Sequence, residues 1–382
     1  MHLALEASKK SLGICNPNPP VGAVIVKDGK VISTGWTDIP GFDHAEKMAI
    51  QNCKTDLSGA SLYVTLEPCC HYGRTPPCTD LIINSGITQI FISVKDPDNR
   101  VNGRGVQALL DAGLKVEIGE NEMESKKIME AHFKFSRTAI PFVTVKFAMS
   151  LDGKISTKSG QSKWITNDKS RDYVHFLRSI NDGVMVGSNT TIVDNPTLTS
   201  RGRHAPLSGR QPLRIVLDSS LKIPTDSNIF NSESKTFVAT AQSTQLKNIS
   251  KQHIIKKFGI NEGKLNLDEI LKTLGEMDIK SILVVHDYEE EFIDINTGLF
   301  SKIGLSDPDG ANKGLVNAYD AAAQNVDLII AIDTPSKEVS KALIKLPSVK
   351  KNKLLIVKTA DESPDYEKVA DKINNRLQKL YS

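Results

Sequence analysis

The 382-residue sequence predicts an α/β protein of two successive domains, and three observations carry that expectation. Short β-rich runs alternate with amphipathic helical stretches through most of the chain, the pattern of strand–helix units built on a partly parallel sheet. The length suits two or three domains, each with its own core. The alternation is interrupted near Pro141, where a new β-rich run opens.

In the first segment, Met1–Lys10 reads as the opening turns of an amphipathic helix. Val21–Val26 and Lys30–Trp36 flank Asp28-Gly29, a strong hairpin signal. A helix from about His44 to Cys53 follows, then an apolar run, Ser61–Leu66. After a cysteine-rich loop a helix can start near Thr79; Gln89–Val94 is a strand, Gly105–Ala112 a helix and Lys115–Ile118 a last strand. In the second segment the strand candidates are Phe142–Ala148, Val184–Val186, Leu213–Leu217, Thr236–Ala241 and Ile282–Val285, with helices at Lys169–Leu177 and Leu267–Met277. Beyond about Gly298 the pattern reads β-α-β over Leu328–Ile332, Lys337–Ile344 and Leu354–Lys358, with a final helix from about Tyr366 to Leu380. The expected domains are 1–139 and 141–297. The α/β tail 298–382 carries no assignment of its own, and continuation of the second domain is one reading.

Composition excludes several classes. Charged residues are 24% and hydrophobic ones 39%, as in ordinary soluble proteins, and the formal net charge is only +3. Basic residues are dispersed, so no nucleic-acid or membrane surface is expected. No apolar run approaches the roughly 18 residues of a membrane span. The first ten residues lack a signal-peptide core, so a cytoplasmic protein is expected. Of five cysteines, Cys69, Cys70 and Cys78 crowd into ten residues, which points to metal or catalysis rather than disulfides.

The decisive residues are His44-Ala45-Glu46 and Pro68-Cys69 with Cys78. A hydrolytic deaminase needs a zinc ion with three protein ligands and an open fourth position for water. The metal acidifies that water for attack on an amidine-like carbon. A carboxylate that is not a ligand must carry the proton to the departing ammonia. His44 offers the nitrogen at a helix start, Glu46 reaches the water from two residues on, and the cysteines offer thiolates. The usual second motif is P-C-x-x-C, but position 72 is Tyr72 and the next cysteine is Cys78. On spacing alone Cys70 and His71 compete as ligands, and a closed structural site with His71 as fourth ligand stays open. Buried cysteines acting as small hydrophobes are the plainer alternative. His-Ala-Glu opening a helix, after a hairpin and before strand-Pro-Cys, is the more specific pattern.

Together with Asn16–Val26, the stretch Thr65–Cys78 and Asp96-Pro97-Asp98, these residues resemble the bifunctional riboflavin-biosynthesis family, in which a diaminohydroxyphosphoribosylaminopyrimidine deaminase precedes a 5-amino-6-(5-phosphoribosylamino)uracil reductase. The resemblance implies a cytidine-deaminase-like α/β/α domain followed by a dihydrofolate-reductase-like α/β domain. It selects Cys69 and Cys78 as zinc ligands with His44, and Glu46 as the catalytic proton carrier. It implies a diaminopyrimidinone ribosylamine phosphate as substrate, losing the amino group at ring carbon 2. Asn18 and Ala45 would contact the ring, and Arg74 the phosphate. Where the family usually has a histidine, this chain has Thr37, which keeps a hydrogen-bonding group without the charge.

In the second domain the resemblance rests on Lys146–Ile155, Ser162–Thr166, Arg178 and above all Gly187–Arg201. It implies an NADPH site lined by Ala148, Trp164, Thr190 and Asp194, and sugar-phosphate contacts from Lys146, Ser162, Arg178, Leu198 and Arg201. The hydride would pass to the opened ribose, giving a ribityl chain. A homo-oligomer assembled through the reductase domain is the expected quaternary state. One departure stands out: the family's Glu-Gly-Gly is here Val285-His286-Asp287, followed by Glu289-Glu290-Glu291. Side chains in place of glycine and added negative charge both oppose a diphosphate. Beyond that point no likeness is found. Two competing readings follow. One is a deaminase whose second domain is a degenerate scaffold; the other is a nucleoside or transfer-RNA deaminase, against which the long cysteine loop and the missing basic surface argue.

Overall fold

The computed structural model describes residues 1–73, 76–148, 168–206, 209–243, 249–261, 263–286, 328–332 and 353–357. The chain divides into two compact units, one formed chiefly by Met1–Pro141 and the other by Phe142–Ala205, Arg210–Leu274 and Ser281–Ser382.

The first unit runs α1 (His2–Lys9), β1 (Gly22–Lys27), β2 (Lys30–Trp36), α2 (Ala45–Asn52), β3 (Ser61–Val64), α3 (Cys78–Ile83), β4 (Gln89–Ile92), α4 (Arg104–Asp111), β5 (Lys115–Ile118), α5 (Glu122–Ile128) and α6 (Glu130–Thr138). Its sheet has the order β2-β1-β3-β4-β5. β1 pairs antiparallel with β2 and β3, while β3–β4 and β4–β5 are parallel. The hairpin turns at Asp28 and Gly29 with φ of 51° and 72°, the doubly positive pair that matches strand twist. The alternation in β3, Leu62 and Val64 inward, and in β4, Ile90 and Ile92 inward, builds one core with Ala45 and Ala49 of α2 and Leu109 of α4. Small residues on that face of α2 let it lie close on the sheet, where the Ser33 hydroxyl donates to the Ala49 carbonyl at 2.6 Å. Leu62 is fully buried in the strand between β1 and β4. Leu62→Ala should destabilise this unit by about 2–5 kcal/mol, checked by the urea midpoint of the purified chain; a shift below about 1 kcal/mol would place Leu62 outside the core.

The second unit comprises β6 (Phe142–Ala148), α7 (Asp168–Ser179), β7 (Gly183–Gly187), α8 (Ser188–Asp194), β8 (Leu213–Leu217), β9 (Thr236–Thr240), β10 (Ile254–Lys257), a small hairpin of β11 (Ile260–Asn261) and β12 (Lys264–Leu265), α9 (Leu267–Glu276), β13 (Ser281–His286), β14 (Leu328–Ile332) and β15 (Lys353–Val357). The sheet order is β10-β9-β8-β7-β13-β6-β14-β15, and every pair in it is parallel. A parallel sheet is covered on both faces, and β7 and β9 are accordingly buried at every residue. The two strands from the tail hydrogen-bond into this sheet beside β6. The helices expected over 337–344 and 366–380 lie outside the described residues.

Candidate metal centre

α2 begins where an extended His44 (φ −74°, ψ 162°) gives way to helix, so His44 caps the helix and Glu46 stands in its first turn. α3 begins at Cys78, and Cys69 follows the Glu67-Pro68 exit from β3. The ligand atoms of His44, Cys69 and Cys78 lie within 4.8 Å of one another, and no other such group occurs among the described residues. His44 Nδ1 is 3.6 Å from the Cys69 sulfur and 3.3 Å from the Cys78 sulfur. A tetrahedral ion about 2.0 Å from nitrogen and about 2.3 Å from sulfur separates such ligands by about 3.5 Å. Nitrogen–sulfur–sulfur donors at those separations fit zinc with one coordination position left open.

The electrostatics agree with closely packed ligands. Cys69 is held down at about 4, first because the Cys78 thiol donates to it and then through His44 and the Cys78 backbone N–H, 3.4 Å away. Cys78 is pushed well above the ordinary thiol value by that donation and by burial. His44 is raised chiefly by its hydrogen bond with Cys69. Two thiols and an imidazole this close share protons that a bound cation displaces. Glu46 is 4% exposed, and burial pushes its carboxyl up to about 7. It contacts Cys78 by a hydrogen bond but contributes nothing to the ligand triangle.

The competing ligands of the sequence lie elsewhere. The Cys70 sulfur points to the Arg100 carbonyl at 3.7 Å, and neither Cys70 nor His71 joins the cluster. Ala45 is fully buried beneath the site, and Asn18 is half-buried, its N–H donating to the Cys15 carbonyl at 2.8 Å. Arg74 lies outside the described residues. The Thr37 hydroxyl oxygen accepts the Val21 N–H at 3.1 Å, so the group standing where a histidine was expected serves the end of the hairpin. Asp96 accepts from His132 at 2.9 Å, and Asp98 pairs with Arg100; both carboxylates of that motif are engaged locally.

In the second unit Lys146 is buried on β6 with Val285 as its register partner on β13. Thr190 is buried and Asp194 half-buried on α8. Arg178, in the last turn of α7, donates to the Thr199 carbonyl at 3.3 Å and so meets the loop carrying Leu198 and Arg201. Leu198 is 2% exposed at φ 55°, a strained backbone for leucine, and Arg201 is exposed. Ser162, Trp164 and the side chain of Ala148 lie outside the described residues, as do the His286 side chain and Asp287 to Glu291. His175 escaped the sequence reading. Burial and the charges of Arg178 and Arg201 push it below its ordinary value, which locates it in the same positive field; its i, i+3 spacing from Arg178 on α7 was the available signal.

Two family models match the chain: the cytidine and deoxycytidylate deaminase zinc-binding region over residues 1–94, and the RibD C-terminal domain over residues 141–285. Riboflavin biosynthesis protein RibD of Aquifex aeolicus (strain VF5) is 42% identical over 288 residues, 74% of this chain and 79% of the relative. The RibD protein of Actinobacillus pleuropneumoniae is 40% identical over 312 residues, 79% and 81%. Among solved structures, the diaminohydroxyphosphoribosylaminopyrimidine deaminase/5-amino-6-(5-phosphoribosylamino)uracil reductase of Thermotoga maritima matches with a TM-score of 0.67 and 41% identity, covering 75% of this chain and 79% of that one.

Proposed function

The chain belongs to the RibD family of riboflavin-biosynthesis proteins, and from that premise we propose which of its residues carry the two reactions. It is a bifunctional enzyme, a zinc-dependent deaminase joined to a reductase that uses NADPH. The deaminase-only reading is not favoured. The reading of a nucleoside or transfer-RNA deaminase also gives way to the relatives that match both units.

The observation that carries the residue assignment is the triangle of His44 Nδ1, Cys69 Sγ and Cys78 Sγ with Glu46 buried beside it. When bound there, zinc supplies an acidified water at neutral pH. Glu46 would accept a proton from the attacking water at its carboxyl oxygen and pass it to the amino group that leaves the pyrimidine ring. Ala45 and Asn18 hold the ring, and Arg74 receives the 5′-phosphate. The substrate on this reading is 2,5-diamino-6-ribosylamino-pyrimidinone 5′-phosphate, which loses ammonia from ring carbon 2.

In the second unit Lys146, Ser162, Arg178, Leu198 and Arg201 bind the sugar phosphate; two guanidinium groups suit a phosphate dianion. Ala148, Trp164, Thr190 and Asp194 line the site of NADPH, which supplies the hydride. The deaminase comprises residues 1–139 and the reductase begins at 141, with the tail completing the second sheet. We also assign the protein to the cytoplasm, as a homo-oligomer joined through the reductase.

Product analysis on the purified chain tests this assignment. With the ribosylamine phosphate alone, ammonia and the deaminated ribosyl product should accumulate; adding NADPH should convert that product to the ribityl compound with equimolar NADPH loss. Ammonia release from cytidine but not from the ribosylamine phosphate would overturn it.

A further inference from the structure

We propose that Glu67 is a positioning residue of the metal centre, its carboxylate clamping the segment that carries Cys69 onto the Asp96–Val106 stretch; this rests on the zinc-deaminase reading above. Glu67 is 3% exposed. Its Oε2 accepts the backbone N–H of Asp96 at 3.1 Å and of Gly103 at 3.0 Å, and its Oε1 accepts that of Val106 at 3.1 Å. Gly103 caps α4 and Val106 lies in its first turn, so the carboxylate satisfies helix donors that otherwise have no intrahelical partner.

The residues flanking Cys69 repeat the same attachment. The Cys70 thiol donates to the Arg100 carbonyl. Gly105 lies so close that a Cβ there would stand 2.2 Å from the Pro68 carbonyl oxygen. Glu67, Pro68 and Cys70 are thus fastened to one stretch of chain, while the Cys69 sulfur alone turns the other way, toward His44 and Cys78. Where Cys69 can stand is set by that fastening. A carboxylate suits the role because it only accepts; an amide would turn a donor against an N–H. Glu67 touches neither ligand atom nor reacting group, and it acts through Cys69.

The test uses the full chain stripped of zinc and reloaded with cobalt(II), whose thiolate charge-transfer and ligand-field bands report ligand geometry. In Glu67→Gln, cobalt affinity and kcat for ammonia release should each fall by about 10–100-fold, the range for residues that orient a ligand from outside the coordination shell, with weakened and shifted ligand-field bands and KM changed far less. Gly105→Ala keeps the carboxylate and its donors but sets a Cβ 2.2 Å from the Pro68 carbonyl oxygen and 3.2 Å from Glu67 Oε1, and should shift the same bands. It decides the matter where Glu67→Gln loses its far-ultraviolet circular dichroism. A wild-type chain without thiolate–cobalt absorption would sink the zinc reading itself. Normal wild-type bands reproduced in both variants, even alongside a lowered melting temperature, would overturn the role of Glu67 and leave that reading intact.

Discussion

Glu46→Gln is expected to retain zinc and to lose ammonia release, with kcat lower by about 10²–10⁴-fold. The side chain contributes no atom to the ligand triangle, so the metal has no reason to leave. The amide keeps the carboxylate's shape in a pocket where 4% of the residue is exposed, yet it can neither take a proton from water nor return one. Stability should not fall with activity. Burial is the main influence on this carboxyl and opposes its charge, and a neutral isostere removes that opposition. Elemental analysis showing about one zinc per chain, a melting temperature at or above that of the wild type, and negligible ammonia together make the expected result. Turnover within a few-fold of wild type would remove Glu46 as the proton carrier.

The first unit was legible because its signals are local. Asp28-Gly29 between two β-rich runs forms the hairpin, and His44 stands where the helical pattern starts because it is the cap. The paired helices α5 and α6 were not anticipated. Their inward surface is Ser125, His132 and Phe133, with Met129 between the helices and Ile128 packed alongside, too thin an apolar stripe to announce a helix in a polar stretch. Strands β10 to β12 are short and largely exposed, and give no alternation. At the site, residue types were readable and directions were not: adjacent cysteines on an irregular loop can face either way, and only the chain around Glu67 decides that Cys69 turns toward His44 while Cys70 turns toward Arg100. The reductase set was visible only through its resemblance to a family. Its described members come from separate elements, β6, α7, α8 and the following loop, and no spacing in the sequence groups residues so far apart along the chain.

Cys78→Ser should abolish metal occupancy and, with it, deamination, whereas Cys70→Ser should leave both unchanged. A serine hydroxyl does not ionise near neutral pH as a metal-bound thiol does, so the substitution would leave His44 and Cys69 alone of the three donors that could hold the ion. Cys78 is also 3% exposed at the start of α3, and the metal would tie that helix to α2 through His44. Metal binding of this kind adds to folding free energy, which supplies a readout independent of turnover. A strong chelator should lower the melting temperature of the wild type and of Cys70→Ser, and should not move that of Cys78→Ser, because the variant holds nothing to remove. The Cys70 thiol has a carbonyl 3.7 Å away and no part in the triangle, and a serine hydroxyl can still donate to that carbonyl, so the attachment beside Cys69 is kept. A chelator-sensitive Cys78→Ser beside an insensitive Cys70→Ser would transfer the third ligand to Cys70, and would require the loop between Cys69 and Cys78 to fold with its sulfurs in the opposite directions.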